Sequence, residues 1–223
     1  MPAVRPHAIR TTEPAKAPTA PGTRAAILHA AEEEFARSGL AGARTDAIAT
    51  AAGVNKAMLF YYFNSKDQLF EAVVEDHFKE FQEKAIVLLE ADGPARSVLL
   101  NYVELHFDFI TARHRYASLY QQLMFSGGKP MERLVKKYFA PRAEALDRLL
   151  ERGMKSGEFR RADRRHMAVS ITALIVFYFS AAPVLQIVGK LDAFSEANLR
   201  LRKKEVIDFI RFGLFSESHG SVA

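Results

Sequence analysis

Apolar positions recur at helical spacing along almost the whole chain. Ile27, Ala31 and Phe35 lie four residues apart, after Thr23 as a candidate N-cap and before Gly39, where a left-handed C-cap belongs. A short segment runs from Thr45 to Ala52, Gly53 interrupts it, and a second runs to Phe63. Ser65 then caps a long helix carrying Leu69, Val73, Phe78, Phe81, Ala85 and Leu88, which Gly93-Pro94 ends while opening the next. Later helices are predicted over about 95–112, 115–125, 131–154, 163–182 and 198–214, punctuated by Gly127-Gly128-Lys129-Pro130 and Gly157. There is no alternating run with hairpin turns and no repeat at a period of about 20–50 residues. The prediction is an all-α chain of about nine helices.

Two stretches depart from this pattern. Residues 1–22 hold five of the nine prolines and no apolar period, so they are read as a flexible arm. A basic arm that brushes DNA through Arg5, Arg10 and Lys16 is the alternative. Residues 167–188 contain no charge over 22 positions, long enough to cross a bilayer. Ser170, Thr172, Tyr178, Ser180 and Gln186 dilute the stretch and Pro183 breaks it late, so it is read as a helix buried on two sides, in a core or between subunits, rather than a membrane span.

Composition narrows the function classes. With no cysteine, disulfides, thiolate zinc sites and cysteine nucleophiles are excluded. The first residues lack the apolar core of a secretory signal. The net charge of +5 permits a nucleic-acid partner without arguing for one. It is also spread evenly: residues 1–70 hold eight Lys/Arg against six Asp/Glu, the remainder 23 against 20, and the densest basic cluster is Arg160, Arg161, Arg164 and Arg165.

The informative segment is TDAIATAAGVNKAMLFYYFNSK, Thr45 to Lys66. Thr45 offers a hydroxyl to cap the first short helix. Ile48 and Ala52 share its inner face, and Ala49 is small where a second helix must cross closely. Gly53 supplies a positive φ for the turn, Val54 plugs it, and Asn55 caps the second helix. Leu59 and Phe63 form that helix's core face. Two short helices with a tight Gly-containing turn between them are the geometry that places the second in a DNA major groove.

This segment, with its Phe60, Tyr62, Phe63, Ser65, Lys66 and Leu69 ending, resembles the tetracycline-repressor (TetR) family of bacterial transcriptional regulators over about residues 21–80. Two positions depart from the family pattern: Ala57 stands where Gly is common, and Phe60 where Tyr is frequent, which removes one hydroxyl. The resemblance implies a three-helix DNA-binding domain over 23–66 and a larger helical ligand-binding and dimerisation domain over 67–223. It implies that Lys56, Ala57, Met58 and Tyr61 face the groove, with Asn55 at the helix start. Lys56 would donate to guanine or phosphate, and Ala57 and Met58 would meet a thymine methyl. Tyr62, Lys66 and Thr45 would hold phosphates, with Arg24 and Arg44 as further contacts.

The resemblance further implies a homodimer on a palindromic double-stranded operator, joined through the helices at about 163–182 and 198–214. Leu199, Val206, Ile207, Ile210 and Leu214 lie on one stripe of the last helix. It also implies a small-molecule effector, apolar or aromatic, that releases DNA. The candidate pocket is Phe81, Tyr102, His106, Phe109, Tyr120, Gln121, Met124, Tyr138 and Phe177, although aromatics at helical spacing are as readily ordinary core. No catalytic motif, cofactor-binding motif or phosphate loop is present. His29, Glu32 and Glu33 share a helix face, read as solvated surface rather than a metal site. The expected protein is a cytoplasmic, nucleoid-associated regulator, a repressor, without cofactor. The alternative is a helical interaction or membrane-peripheral protein working through 167–188.

Overall fold

The computed structural model describes residues 21–113 and 115–216. Residues 1–20, nearly all of the expected arm with Arg5, Arg10 and Lys16, lie outside the described residues. The order is α1 (Pro21–Gly42), α2 (Thr45–Ala51), α3 (Lys56–Phe63), α4 (Lys66–Leu89), α5 (Ala95–Ala112), α6 (Tyr116–Ser126), α7 (Gly128–Leu134), a π turn (Val135–Phe139), α8 (Ala140–Lys155), α9 (Arg164–Ser180), α10 (Ala182–Gly189) and α11 (Glu196–Leu214). No break separates α7, the π turn and α8, so the described residues form ten helices. They contain no strand, only an isolated bridge between Phe159 and Phe215. The all-α expectation holds.

One buried cluster runs from Ile27 to Leu214. Its axis is α4, which buries Leu69, Phe70, Val73, Val74, Phe78, Phe81 and Ala85 against α1, α5 and α8. Full burial of such side chains contributes about 1.5–3 kcal/mol each. Because α4 begins at the helix-turn-helix and ends beneath the C-terminal helices, it ties the two halves into one core.

Several local expectations need correction. Thr23 does not cap α1: the helix already starts at Pro21, the proline standing where a helix tolerates it. Gly39 does not end α1 in the left-handed helical region. Its φ of 66° and ψ of 177° kink the chain, and helix resumes to Gly42. Thr45 is the first residue of α2, not its cap; Arg44 holds the cap position and no side chain closes that end. Ser65 does cap α4, its hydroxyl accepting from the Gln68 N–H at 3.1 Å.

The helix expected over 131–154 begins at Gly128 and contains the π turn, which ends two residues before Pro141, whose ring and missing N–H cannot continue an α ladder. The extra residue in that turn lets both Tyr138 and Phe139 face inward. Phe139 meets Phe78 with ring centroids 5.3 Å apart.

The charge-free stretch is two helices. Chain direction changes by 61° between α9 and α10, beside Pro183. Among the described residues no single helix is long and apolar enough to cross a membrane; only this bent pair meets the length and composition together. Within one chain α9 is buried on one side, through Ile171, Ile175, Val176 and Phe179, while Val169 and Phe177 are exposed. On α11 the stripe expected to meet a partner turns inward: Val206, Ile210 and Leu214 are buried, and Leu199 and Ile207 pack against the same core. Its outward face is Leu201, Phe209 and Phe212. Spacing marked an apolar stripe, but spacing alone does not say what covers it.

Distant residues lock the C-terminal half. The Glu158 carboxylate accepts from the backbone N–H groups of Ala95 at 3.1 Å and Arg96 at 3.0 Å, capping α5 from far along the chain. Arg96 donates to the Glu158 carbonyl at 3.0 Å and to the Ser216 carbonyl.

Candidate nucleic-acid interface and effector cavity

The α2–α3 unit is held by short-range chemistry. The Val54 N–H donates to the Ala49 carbonyl at 2.9 Å, and Gly53 adopts a φ of 67° at the turn. The Asn55 side chain accepts from the Met58 N–H at 2.8 Å, closing the start of α3 as expected. Leu59 and Phe63 anchor α3 in the core, and Ile48 and Ala49 anchor α2.

Anchoring one face of α3 leaves the other in solvent. Lys56 and Ala57 are exposed, Met58 is half-buried, and Tyr61 is 69% exposed, its ring edge-on to Tyr62 at 5.4 Å. Lys56 pairs with Asp46 of α2 at 3.0 Å, an exposed contact of little stabilising weight that an incoming anion can replace. Arg44 is exposed, and its backbone N–H donates to the buried Glu34 carboxylate at 3.2 Å. Arg24 reaches α3 from α1, its guanidinium 5.2 Å from the centre of the Phe63 ring. Thr45 and Tyr62 are half-buried. Lys66 does something the sequence did not suggest: its ammonium donates to the Ala41 and Ala43 carbonyls, each at 3.2 Å, fastening the end of α1 to the start of α4.

A second feature lies between α6, α8 and α9: a cavity of about 520 Å³. Tyr120, Gln121 and Met124 line it from α6, Arg142 and Leu146 from α8, and Val176 and Phe177 from α9. Four residues proposed for the pocket are therefore together: Tyr120, Gln121, Met124 and Phe177. The others are elsewhere. Phe81, Tyr102 and His106 are fully buried behind the cavity, around Arg142. Phe109 packs on Phe81 at 5.0 Å and carries Arg113 over its outer face at 4.0 Å. The Tyr138 hydroxyl donates to Glu75. Burial holds the His106 imidazole well below its ordinary pKa, and the nearby Arg142 charge acts in the same direction. Burial likewise raises the Tyr120 phenol.

The family model described as "Bacterial regulatory proteins, tetR family" matches residues 27–73, the α1–α4 region just described. A second, "Tetracyclin repressor-like, C-terminal domain", matches residues 94–210, more than half of the chain. The chain belongs to the tetR family. It is a regulatory protein, not an enzyme.

Among relatives of this tetR-family chain is the HTH-type transcriptional repressor NicS of Pseudomonas putida, 34% identical over 103 residues. That match covers 43% of this chain and 49% of NicS, about half of its length. Solved structures share the fold. A transcriptional regulator from Saccharomonospora viridis, in complex with choline, has a TM-score of 0.68 at 20% identity, covering 87% of this chain and 98% of that one. FadR from Bacillus subtilis, in complex with stearoyl-CoA, has a TM-score of 0.66 at 21% identity, covering 83% and 96%.

In this tetR-family chain one helix both lines the cavity and packs on α1 of the DNA-binding half. Arg115, at the N-cap of α6, pairs with Glu32 at 3.2 Å and Glu33 at 2.8 Å on α1, and Gln122 of α6 lies against Gly39. Glu32 also meets His77 of α4 at 3.2 Å, so the His29, Glu32 and Glu33 face is an inter-helix contact rather than bare surface. Neither Arg115 nor Gln122 carries a sequence signal. Arg142 does carry one: it stands on the face of α8 that repeats through Ala145, Leu146, Leu149 and Leu150, a charge on an apolar stripe.

Proposed function

We propose that this chain is a ligand-responsive, DNA-binding transcriptional repressor of the cytoplasm. It binds a palindromic operator as a homodimer through α3. The observation that carries this reading is the anchored and capped α3 with Lys56, Ala57 and Tyr61 turned to solvent. Lys56 and Tyr61 read or grip the groove, while Arg24, Arg44, Thr45 and Tyr62 hold phosphates. Two half-sites are engaged by two copies joined through the exposed apolar faces of α9 and α11.

An apolar or aromatic effector occupies the α6–α8–α9 cavity, whose volume lies in the usual range for small-molecule sites. Occupation displaces α6, and α6 carries the displacement to α1 through Arg115 and Gln122. Release requires that the effector bind the displaced arrangement more tightly than the DNA-bound one. A gel shift on the DNA flanking the chain's own gene tests the reading. Lys56→Ala and Tyr61→Ala should weaken the shift while dimerisation survives; wild-type binding by both variants would exclude this docking.

A further inference from the structure

The cavity between α6, α8 and α9 is open on one side, and its exposed rim has a single chemistry. The described lining residues that are exposed are Met124, Phe125, Ala143, Val169, Ala173 and Phe177, all of them apolar. The polar lining residues sit deeper: Thr172 and Ser180 are half-buried, and the Thr172 hydroxyl is spent on the Ala168 carbonyl at 3.0 Å. Phe125 is 85% exposed and Phe177 70%. Hydrocarbon left in water at the mouth costs free energy in proportion to its area. A large apolar patch of this kind marks a surface that something covers.

The α9 part of the rim is also the outward face of that helix. Val169, Ala173 and Phe177 stand four residues apart, opposite the buried Ile171, Ile175 and Phe179. Beyond the Ser180 end of the cavity the wet apolar surface continues. Helix α10 buries no residue within its own chain, and its Val184, Ile187 and Val188 are exposed. On α11, which packs against α9, Phe209 and Phe212 point outward. At about 200 Å² for each phenylalanine, the exposed parts of Phe125, Phe177, Phe209 and Phe212 alone come to roughly 600 Å². A standard interface takes about 800 Å² from each partner, so with the aliphatic side chains this face is large enough for a stable dimer. A two-fold pair sets the same patch against itself, which closes both mouths at once. A helix seated on Val169, Ala173 and Phe177 has its axis about 8–10 Å from that of α9, over the opening that those residues border.

We infer that the second copy of the chain closes this cavity, so that a ligand held there touches both subunits and its binding is linked to dimerisation. The inference rests on the dimer and the effector cavity proposed above, and adds that the two share residues. A ligand held more tightly by the closed cavity than by the open one strengthens the dimer by the same factor per site.

The chain has no cysteine, so one introduced thiol reports on one place. Phe125 is on α6, outside the α9–α11 face, and an interface that stopped at α9 would leave it open. Val87 of α4, 74% exposed, serves as the control. Full-length Phe125→Cys and Val87→Cys are reacted with DTNB, with and without Phe212→Glu, and sedimentation velocity fixes the oligomeric state. Phe125→Cys should react about tenfold or more slowly in the dimer than in the Phe212→Glu monomer, because exchange needs access to the sulfur. Val87→Cys should react alike in both. Equal rates for Phe125→Cys in dimer and monomer overturn the inference. If Phe212→Glu stays dimeric, the α11 part of the dimer reading falls, and closure is judged without it: Phe125→Cys as fast as Val87→Cys refutes closure, and a slower rate supports it. A wild type that is monomeric throughout refutes dimer and closure together. Saturating Nile red, a neutral hydrophobic probe, should tighten the wild-type dimer by about tenfold or more. A dimer that the bound dye loosens or leaves unchanged refutes the linkage. If the dye does not bind, the effector-cavity reading falls, while the thiol rates still decide whether the second copy covers the mouth.

Discussion

Gln122 of α6 lies over Gly39 of α1 so closely that a Cβ on Gly39 would stand 2.4 Å from the Gln122 side-chain oxygen. The same glycine has a φ of 66° with a ψ of 177°, a backbone region essentially reserved for glycine. Two independent constraints thus coincide where the DNA-binding half meets the helix that lines the cavity. Gly39→Ala should cost about 1–3 kcal/mol of stability through backbone strain. Gln122→Ala in the same chain should recover only the part due to the clash. Urea denaturation of the single and double variants measures both, and an unchanged midpoint for Gly39→Ala would refute the argument.

Gly153 is a second close approach, of another kind. A Cβ there would sit 2.2 Å from the Phe159 ring. Phe159 is 2% exposed and stacks on Phe215 at 5.5 Å, in the loop that also carries Glu158. Gly153→Ala should destabilise by about 1–3 kcal/mol by overpacking. Adding Phe159→Leu should return part of that loss, which thermal unfolding would detect.

His106 should make stability fall in mild acid. Above about pH 6.5 the imidazole is neutral in both folded and unfolded chains. Below that value the unfolded chain takes up a proton that the folded one, with its depressed pKa, refuses until the pH is well lower. Folding is then opposed by up to about 1.4 kcal/mol for each pH unit in that window. His106→Gln should flatten the stability profile between pH 5 and 6.5 relative to the wild type. An unchanged slope would mean that His106 is not the group responsible.

Lys56 and Lys66 should behave differently although each is the first residue of its helix, α3 and α4. Lys66 clamps the carbonyls of Ala41 and Ala43, so Lys66→Ala should lower stability by about 1 kcal/mol. Lys56 holds only the exposed Asp46, so Lys56→Ala should leave stability within about 0.5 kcal/mol and reduce the salt slope of operator binding by about one. Denaturation and salt-dependent binding separate the two, and a matching pair of profiles would contradict the assignment.

Phe212 is 89% exposed and Phe209 64% exposed on the outer face of α11. Phe209→Glu and Phe212→Glu should each shift the chain toward monomer in sedimentation velocity, with little change in monomer fold, and weaken operator binding in parallel. A dimer that survives both changes would place the interface elsewhere.

The residue order by itself determined part of what depends on neighbours in the chain, although the caps expected at Thr23, Gly39 and Thr45 did not form. The Asn55 cap, the positive φ of Gly53, the Ser65 cap and the inner face at Leu59 and Phe63 are short-range chemistry, and all are present. The all-α class followed from periodicity for the same reason. Only the tertiary structure decided which groups from far apart meet. It turned Val206 and Ile210 inward and Phe209 and Phe212 outward, since an apolar stripe does not specify its cover. It drew Tyr120, Gln121, Met124 and Phe177 around one cavity, and buried Tyr102 and His106 behind Arg142. It set Glu158 at the start of α5 and Lys66 on the carbonyls of α1. Such contacts depend on how helices cross, which the packing of the whole core determines and no local spacing encodes.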